Sequence, residues 1–421
     1  MNKLILFFFF FTLMSGASAQ FQAIENEDDV PEYKLPDPLK AFNGKNIRNT
    51  KKWESKRRPE LLKFFTQNMY GEIPGTLEIS SVELLEKSAS ALNGAAERKQ
   101  VDLYFKNSGK TLHFTVLMYL PKTAGKKPIF LGYNFLGNHT ITDDVNIVIS
   151  SAWAPDNPSY GIINNQLTEQ SRGVGSDRWP VEKIIDAGFG LATIYYGEVD
   201  PDIDDFSNGI HPLLYVDDQQ QPADNEWGAI TAWAWGLSRT MDYFETDDSI
   251  DESKVIVLGH SRLGKTALWA GARDQRFAAV ISNNSGCGGA ALSKRRFGET
   301  IWRINRSFPH WFCKNFKYYS KNEEKLPVDQ HELIALIAPR PVYIASAEED
   351  LWADPKGEFL SAMYASPVYK LYGKEGIDLT EMPALNQPIQ NTVAYHIRTG
   401  KHNITDFDWD QYLKWATKYV K

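Results

Sequence analysis

The chain has 421 residues, 43% hydrophobic and 24% charged, with 46 Lys plus Arg against 53 Asp plus Glu for a net charge of -7. That composition excludes a disordered, collagenous or cysteine-scaffold protein, and without a broad basic field nucleic acid is a poor partner. The twelve Trp residues are a high count for any single role and have to be divided between core and binding surface.

Residues 1–19 read as a signal peptide. Lys3 supplies the positive start, Leu4 to Met14 are almost wholly apolar, and Ala17-Ser18-Ala19 form a small-residue cleavage site. The apolar core is too short to span a bilayer comfortably. A mature chain beginning near Gln20 is expected in the periplasm or the medium, away from the membrane once cleaved. An oxidising compartment permits the two cysteines, Cys287 and Cys313, to pair, and a disulfide is the expectation. Residues 20–60, with Pro31, Pro36 and Pro38, read as an extended arm, followed by a short helix over 59–69.

Alternating apolar residues predict strands over 101–105 and 112–120. Continuous apolar runs predict further strands over 128–133, 190–196, 255–258, 277–281, 342–345 and 393–397. Helical spacing covers 225–244, where Trp227, Ile230, Ala234, Leu237 and Met241 share one side, and 262–272. Short apolar strands separated by helices predict an α/β fold, a mainly parallel central sheet covered on both faces to give three layers. No repeat and no dividing linker is visible, so residues 20–421 read as one catalytic domain. Long insertions at 134–180, 197–222 and 285–330 exceed ordinary connections and point to active-site surface.

The segment Gly259-His260-Ser261-Arg262-Leu263-Gly264 ends one predicted strand and opens a helix. It matches G-x-S-x-G with one extra residue before the final glycine. Small residues flank such an elbow because the backbone turns sharply to expose the serine oxygen. The helix N-terminus then favours developing negative charge. Ser261 is the candidate nucleophile. Gly264-Lys265-Thr266 lacks the earlier glycine and loop length of a phosphate-binding loop. A serine needs a histidine base oriented by a carboxylate. His402 follows the last predicted strand, where the α/β-hydrolase order of serine, acid and histidine places the base. His260 is adjacent to the elbow and reads as a packing or hydrogen-bonding residue, and His310 as one lining the pocket. The strand over 342–345 delivers Glu348, Glu349, Asp350 and Asp354; Glu349 and Asp350 are the candidates for the acid, and since adjacent residues diverge in direction only one of them is expected to face His402.

Five segments together carry a family resemblance: Gly259 to Lys265, Ser285-Gly-Cys-Gly-Gly-Ala290, Arg295-Arg-Phe-Gly-Glu299, Phe308-Pro-His-Trp-Phe312 and Glu349-Asp-Leu-Trp-Ala-Asp-Pro355. On them the chain resembles the bacterial glucuronoyl (4-O-methyl-glucuronoyl methyl) esterases of carbohydrate esterase family 15, in the α/β-hydrolase superfamily. The resemblance implies hydrolysis of esters between glucuronic acid and an alcohol, in plant walls an alcohol of lignin. It implies glucuronoylated xylan or lignin–carbohydrate fragments as partners; a monomer is expected, and the sequence carries no sign of a metal or organic cofactor. Carried over by motif, Ser261 is the nucleophile and His402 the base, and Arg262 contributes to the oxyanion hole. Lys265, Glu299 and Trp352 match substrate-binding positions. Many members carry the catalytic Glu where this chain has Asn284, so the acid is expected from the later loop, as in other bacterial relatives, with Glu349 ranked slightly ahead of Asp350. An acetyl-xylan or general carboxylesterase on the same fold is the alternative, and a non-catalytic carbohydrate-binding hydrolase fold a more distant one.

Overall fold

The computed structural model describes residues 23–421; the signal peptide expected over 1–19 and the first residues of the arm lie outside that range. Residues 23–48 run largely without regular structure, and a helical stretch then begins at Thr50 and continues to Tyr70. The sequence reading started this helix about nine residues late. Its first turn is charged and exposed, and only Trp53 and Arg57 mark the buried side there.

Nine strands form one sheet in the order β1-β2-β3-β5-β4-β6-β7-β8-β9. They are β1 Ser81–Ala91, β2 Ala96–Asn107, β3 Lys110–Pro121, β4 Lys127–Asn134, β5 Gly190–Tyr195, β6 Ile250–His260, β7 Ala279–Asn283, β8 Val342–Ala347 and β9 Val393–Arg398. From β5 to β9 every neighbouring pair is parallel, while β1, β2 and β3 form an antiparallel meander joined to β5. β5, β7, β8 and β9 are buried along their length, and β6 from Val255 on, which is why they read as continuous apolar runs. β1 was missed because it is an exposed edge strand carrying Glu83, Glu86 and Lys87.

Strand alternation divides the interior into two cores. Val255 and Val257 face helices α1 (Ala229–Phe244), α2 (Arg262–Arg273) and α3 (Pro355–Leu371), together with Trp233 and Trp269. Ile256 and Leu258 face the other way, onto Trp409 and Trp415 of the C-terminal helix α4 (Asp406–Tyr419). The three-layer α/β sandwich follows directly from that period of two.

Candidate active site

β6 ends at His260 and α2 begins at Arg262, so Ser261 occupies the turn between them, with φ 58 and ψ -130. A non-glycine residue held there is strained, and the surroundings fix it. The Ser261 amide donates to the Asn283 carbonyl at 2.9 Å on the neighbouring strand β7. The flanking glycines have steric reasons. A Cβ on Gly259 would lie 1.9 Å from the Leu263 carbonyl oxygen. One on Gly264 would sit 3.0 Å from both the Gly259 carbonyl oxygen and the Ser285 Cβ. The extra residue in the motif thus still lets the first turn of α2 close onto the end of β6. The Arg262 amide stands in that first turn, where helical N–H groups have no internal acceptor.

His402 lies in the loop after β9, and its Nδ1 is 2.6 Å from Asp350 Oδ2. Asp350 is buried, 6% exposed, and also accepts from Asn284 Nδ2 at 2.8 Å. Asn284, in the left-handed region at φ 47, therefore stands beside the acid and holds it. Glu349 requires a correction: it is exposed, and its contact with the base loop is a backbone bond from its amide to the Gly400 carbonyl. β8 ends at Ala347, and the turn that follows, closed by the Asp350 amide on the Ala347 carbonyl at 3.1 Å, brings Asp350 inward and leaves Glu349 outside. The base loop is clamped from behind. Arg398, ion-paired to buried Asp408 at 2.8 Å, donates to the carbonyls of Thr399, Lys401 and Asn403 on both sides of His402.

Ser261, His402, His260 and Arg262 line one cavity of about 480 Å³, with Phe135, Tyr160 and Trp179 among its walls. Ser261 Oγ has no hydrogen-bond partner among the described residues; catalytic bonds of this kind often tighten only with substrate in place.

The Arg262 guanidinium pairs with Asp202 at 2.7 Å and donates to Tyr196 at 3.2 Å. It lies 4.8 Å from the centre of the Phe135 ring and 5.4 Å from that of Tyr196. Asp202 also receives His310 Nε2 at 2.8 Å and Trp311 Nε1 at 2.7 Å. Burial works to raise the Asp202 carboxyl, but the His310 bond, the Arg262 charge and the Trp311 bond outweigh it and hold it below the usual carboxylate range. Burial likewise opposes the Arg262 charge, and the Tyr196 and Asp202 side chains more than offset it. Arg262 is thereby fixed beside Ser261 as a permanent cation. His310 is a correction to the sequence reading: like Trp311 it is buried behind Asp202, so it orients Arg262 instead of lining the pocket. Asp202 itself was missed. It sits in an acidic stretch, Asp200 to Asp205, where nothing in the sequence separates one carboxylate from the others.

On the other side, Lys265 turns inward. Its ammonium donates at 2.6 Å to the carbonyls of both Ser285 and Cys287, and lies 3.7 Å from Glu299. Burial raises the Glu299 carboxyl and the Lys265 charge partly offsets this; a Trp352 hydrogen bond acts in the same direction as Lys265. Trp352, 40% exposed, is the member of this trio that presents a broad surface to solvent.

The expected disulfide is absent: Cys287 and Cys313 are both free thiols. The Phe312 ring packs against Gly288 beside Cys287, within a cluster that includes Tyr70. Cys287 has Glu299 and Lys265 as charged neighbours, whereas Cys313 has Asp224. Burial pushes both thiols up, Cys313 to about 12, which keeps them unreactive. Among the described residues no cluster of three metal-ligating side chains occurs.

A family model for fungal glucuronyl esterases matches residues 218–373, a span holding Ser261, Glu299 and Asp350 but not His402. Carbohydrate esterase MZ0003, from an unknown prokaryotic organism, is 52% identical over 397 residues, covering 94% of this chain and 91% of that protein. The solved structure of a promiscuous CE15 esterase from a marine bacterial metagenome shares 50% identity at a TM-score of 0.88, covering 94% of this chain and all of that one. The chain belongs to carbohydrate esterase family 15. The glucuronoyl esterase from Solibacter usitatus resembles this family member closely, with 44% identity, a TM-score of 0.88, and coverage of 94% of this chain and 100% of that one. The esterase is a carboxylic ester hydrolase of α/β-hydrolase fold.

Proposed function

We propose that this esterase cleaves esters of (4-O-methyl-)glucuronic acid with alcohols through an acyl-enzyme on Ser261. The observation that carries the reading is the constellation at one sheet end: a half-buried elbow serine opening on the cavity, a histidine on a buried aspartate, and a fixed guanidinium beside the serine. In acylation, Ser261 Oγ attacks the ester carbonyl while His402 takes its proton. Asp350 holds the imidazole in the tautomer that leaves Nε2 free and stabilises the cation formed. The Arg262 amide and guanidinium face the oxyanion. His402 then protonates the leaving alcohol, and water releases the uronate. Lys265 acts through Glu299, which with Trp352 supplies a carboxylate and an aromatic surface suited to a sugar ring. The natural substrate in this reading is glucuronoylated xylan or a lignin–carbohydrate fragment. The esterase meets it after export to the periplasm or medium, as a monomer.

Release of alcohol from methyl glucuronate, set against hydrolysis of 4-nitrophenyl acetate, tests the acid side of the ester. Turnover of the uronate ester is expected, falling by at least about a thousandfold in Ser261→Ala. Activity confined to the acetate would instead favour the acetyl-esterase alternative.

A further inference from the structure

Two histidines flank the cavity at Ser261, and the established order of a serine esterase uses one. His260 and His402 have ring centroids 4.5 Å apart, and both are anchored through Nδ1. His402 is held by a carboxylate, Asp350. His260 is held by a neutral amide, Asn283 Oδ1, at 2.7 Å. The difference decides what each ring can do.

The orientation of the Asn283 amide is dictated from behind. Its Nδ2 lies 3.0 Å from Asp408 Oδ1 and 2.8 Å from the Tyr412 hydroxyl. Burial works to raise the Asp408 carboxyl, but the His396 hydrogen bond and the His396 and Arg398 charges outweigh it, so it stays ionised and can only accept. Asn283 must therefore give Asp408 its NH₂ and turn its oxygen to His260. That oxygen requires the proton on His260 Nδ1 and leaves Nε2 bare. Burial, reinforced by the charges of His402 and Arg178, keeps the His260 ring neutral. Nε2 has no hydrogen-bond partner among the described residues, and His260 lines the cavity with Ser261 and His402.

On the acyl-enzyme reading above, we infer that His260 Nε2 is a fixed acceptor for the water that hydrolyses the acyl-enzyme. The water oxygen attacks the acyl carbon as one hydrogen passes to His402 Nε2. Its second hydrogen is held, not removed, by His260 Nε2. The tetrahedral intermediate then expels Ser261 Oγ, which recovers the proton from His402, and the uronic acid departs with the new oxygen. Because His260 does not take up a proton, it remains an acceptor while His402 is an imidazolium. The ring centres are 4.5 Å apart and both rings line the cavity at Ser261, so the two imidazoles border the same small volume beside the serine.

Competition between water and methanol for the acyl-enzyme tests this. Methanol has one O–H, which His402 uses, so only water exploits the second acceptor. With benzyl glucuronate under initial-rate conditions in dilute methanol, His260→Phe should raise the ratio of methyl glucuronate to glucuronic acid by about three- to tenfold, the worth of one neutral hydrogen bond. A merely structural role, by displacing Ser261 or His402, would slow both products alike, and an unchanged ratio overturns the inference. Nitrogen-15 NMR of the wild-type esterase gives a second reading independent of any variant. His260 should show a protonated Nδ1 and a bare Nε2 at neutral pH, and a proton on Nε2 overturns the inference. Failure of the acyl-enzyme itself looks different: the wild type would then form no methyl glucuronate.

Discussion

At the scale of single residues, the choice of triad acid rests on direction. Asp350 and Glu349 are neighbours of the same charge, yet one is buried against His402 and the other faces solvent. Asp350→Asn keeps the shape but removes the charge that stabilises the imidazolium, and it lets the amide present N–H where Nδ1–H must donate. Steady-state kinetics on methyl glucuronate should show kcat down by about 10²- to 10⁴-fold, while Glu349→Gln stays within about twofold of wild type. Loss of activity in Glu349→Gln alone would move the acid. Sequence reasoning reached both acids and put Glu349 first, because which of two neighbours faces His402 is decided by the turn after β8, where the Asp350 amide bonds the Ala347 carbonyl, and a linear pattern does not encode that turn. Arg262 illustrates the same gap. Its place beside Ser261 is legible from the motif, but the residues that fix it, Asp202 and His310, come from two separate insertions.

At the scale of elements, α3 supports the site through one buried carboxyl. Glu358 accepts the amides of Ser285 at 2.7 Å and Gly286 at 2.9 Å, and meets the Ser346 hydroxyl at 2.6 Å. It thereby ties α3 to β8 and to the turn that follows Asn284. Burial pushes the Glu358 carboxyl up to about 8, with the nearby Asp350 charge adding to it. The folded protein keeps this proton where the unfolded chain releases it. Stability from the neutral form is therefore full below the ordinary Glu range, near pH 4.5, and is lost as pH rises toward 8. One proton of linkage in a chain of this size lowers Tm by roughly 1–2 °C per pH unit across that window. Glu358→Gln, which keeps an oxygen for the two amides and cannot ionise, should flatten this part of the Tm profile. An identical slope in the variant would mean that Glu358 is ionised in the folded protein. The helix α3 itself was invisible in the sequence reading, since Pro367 lies inside it and its burial does not follow a clean stripe.

At the scale of the molecule, the parallel half of the sheet was readable because burial on both faces writes itself as unbroken apolar runs. The insertions were readable only as lengths. Their closing contacts are long-range pairings such as Asp202 with Arg262, and a linear pattern does not encode them. The aromatic surplus resolves into core (Trp233, Trp269, Trp409 and Trp415 are all fully buried), a girder for Asp202 in Trp311, and the exposed Trp352. The absent disulfide follows the same lesson: export makes pairing possible, but packing around Phe312 and Tyr70 holds the two thiols in different surroundings. The central claim concerns a covalent step, so the most direct test is to trap it. Wild-type esterase mixed with benzyl glucuronate, acid-quenched within one turnover and mapped by peptide mass, should carry a glucuronoyl group on the peptide containing Ser261, and Ser261→Ala should carry none. An unlabelled enzyme under burst conditions, or a label on another residue, would contradict the account.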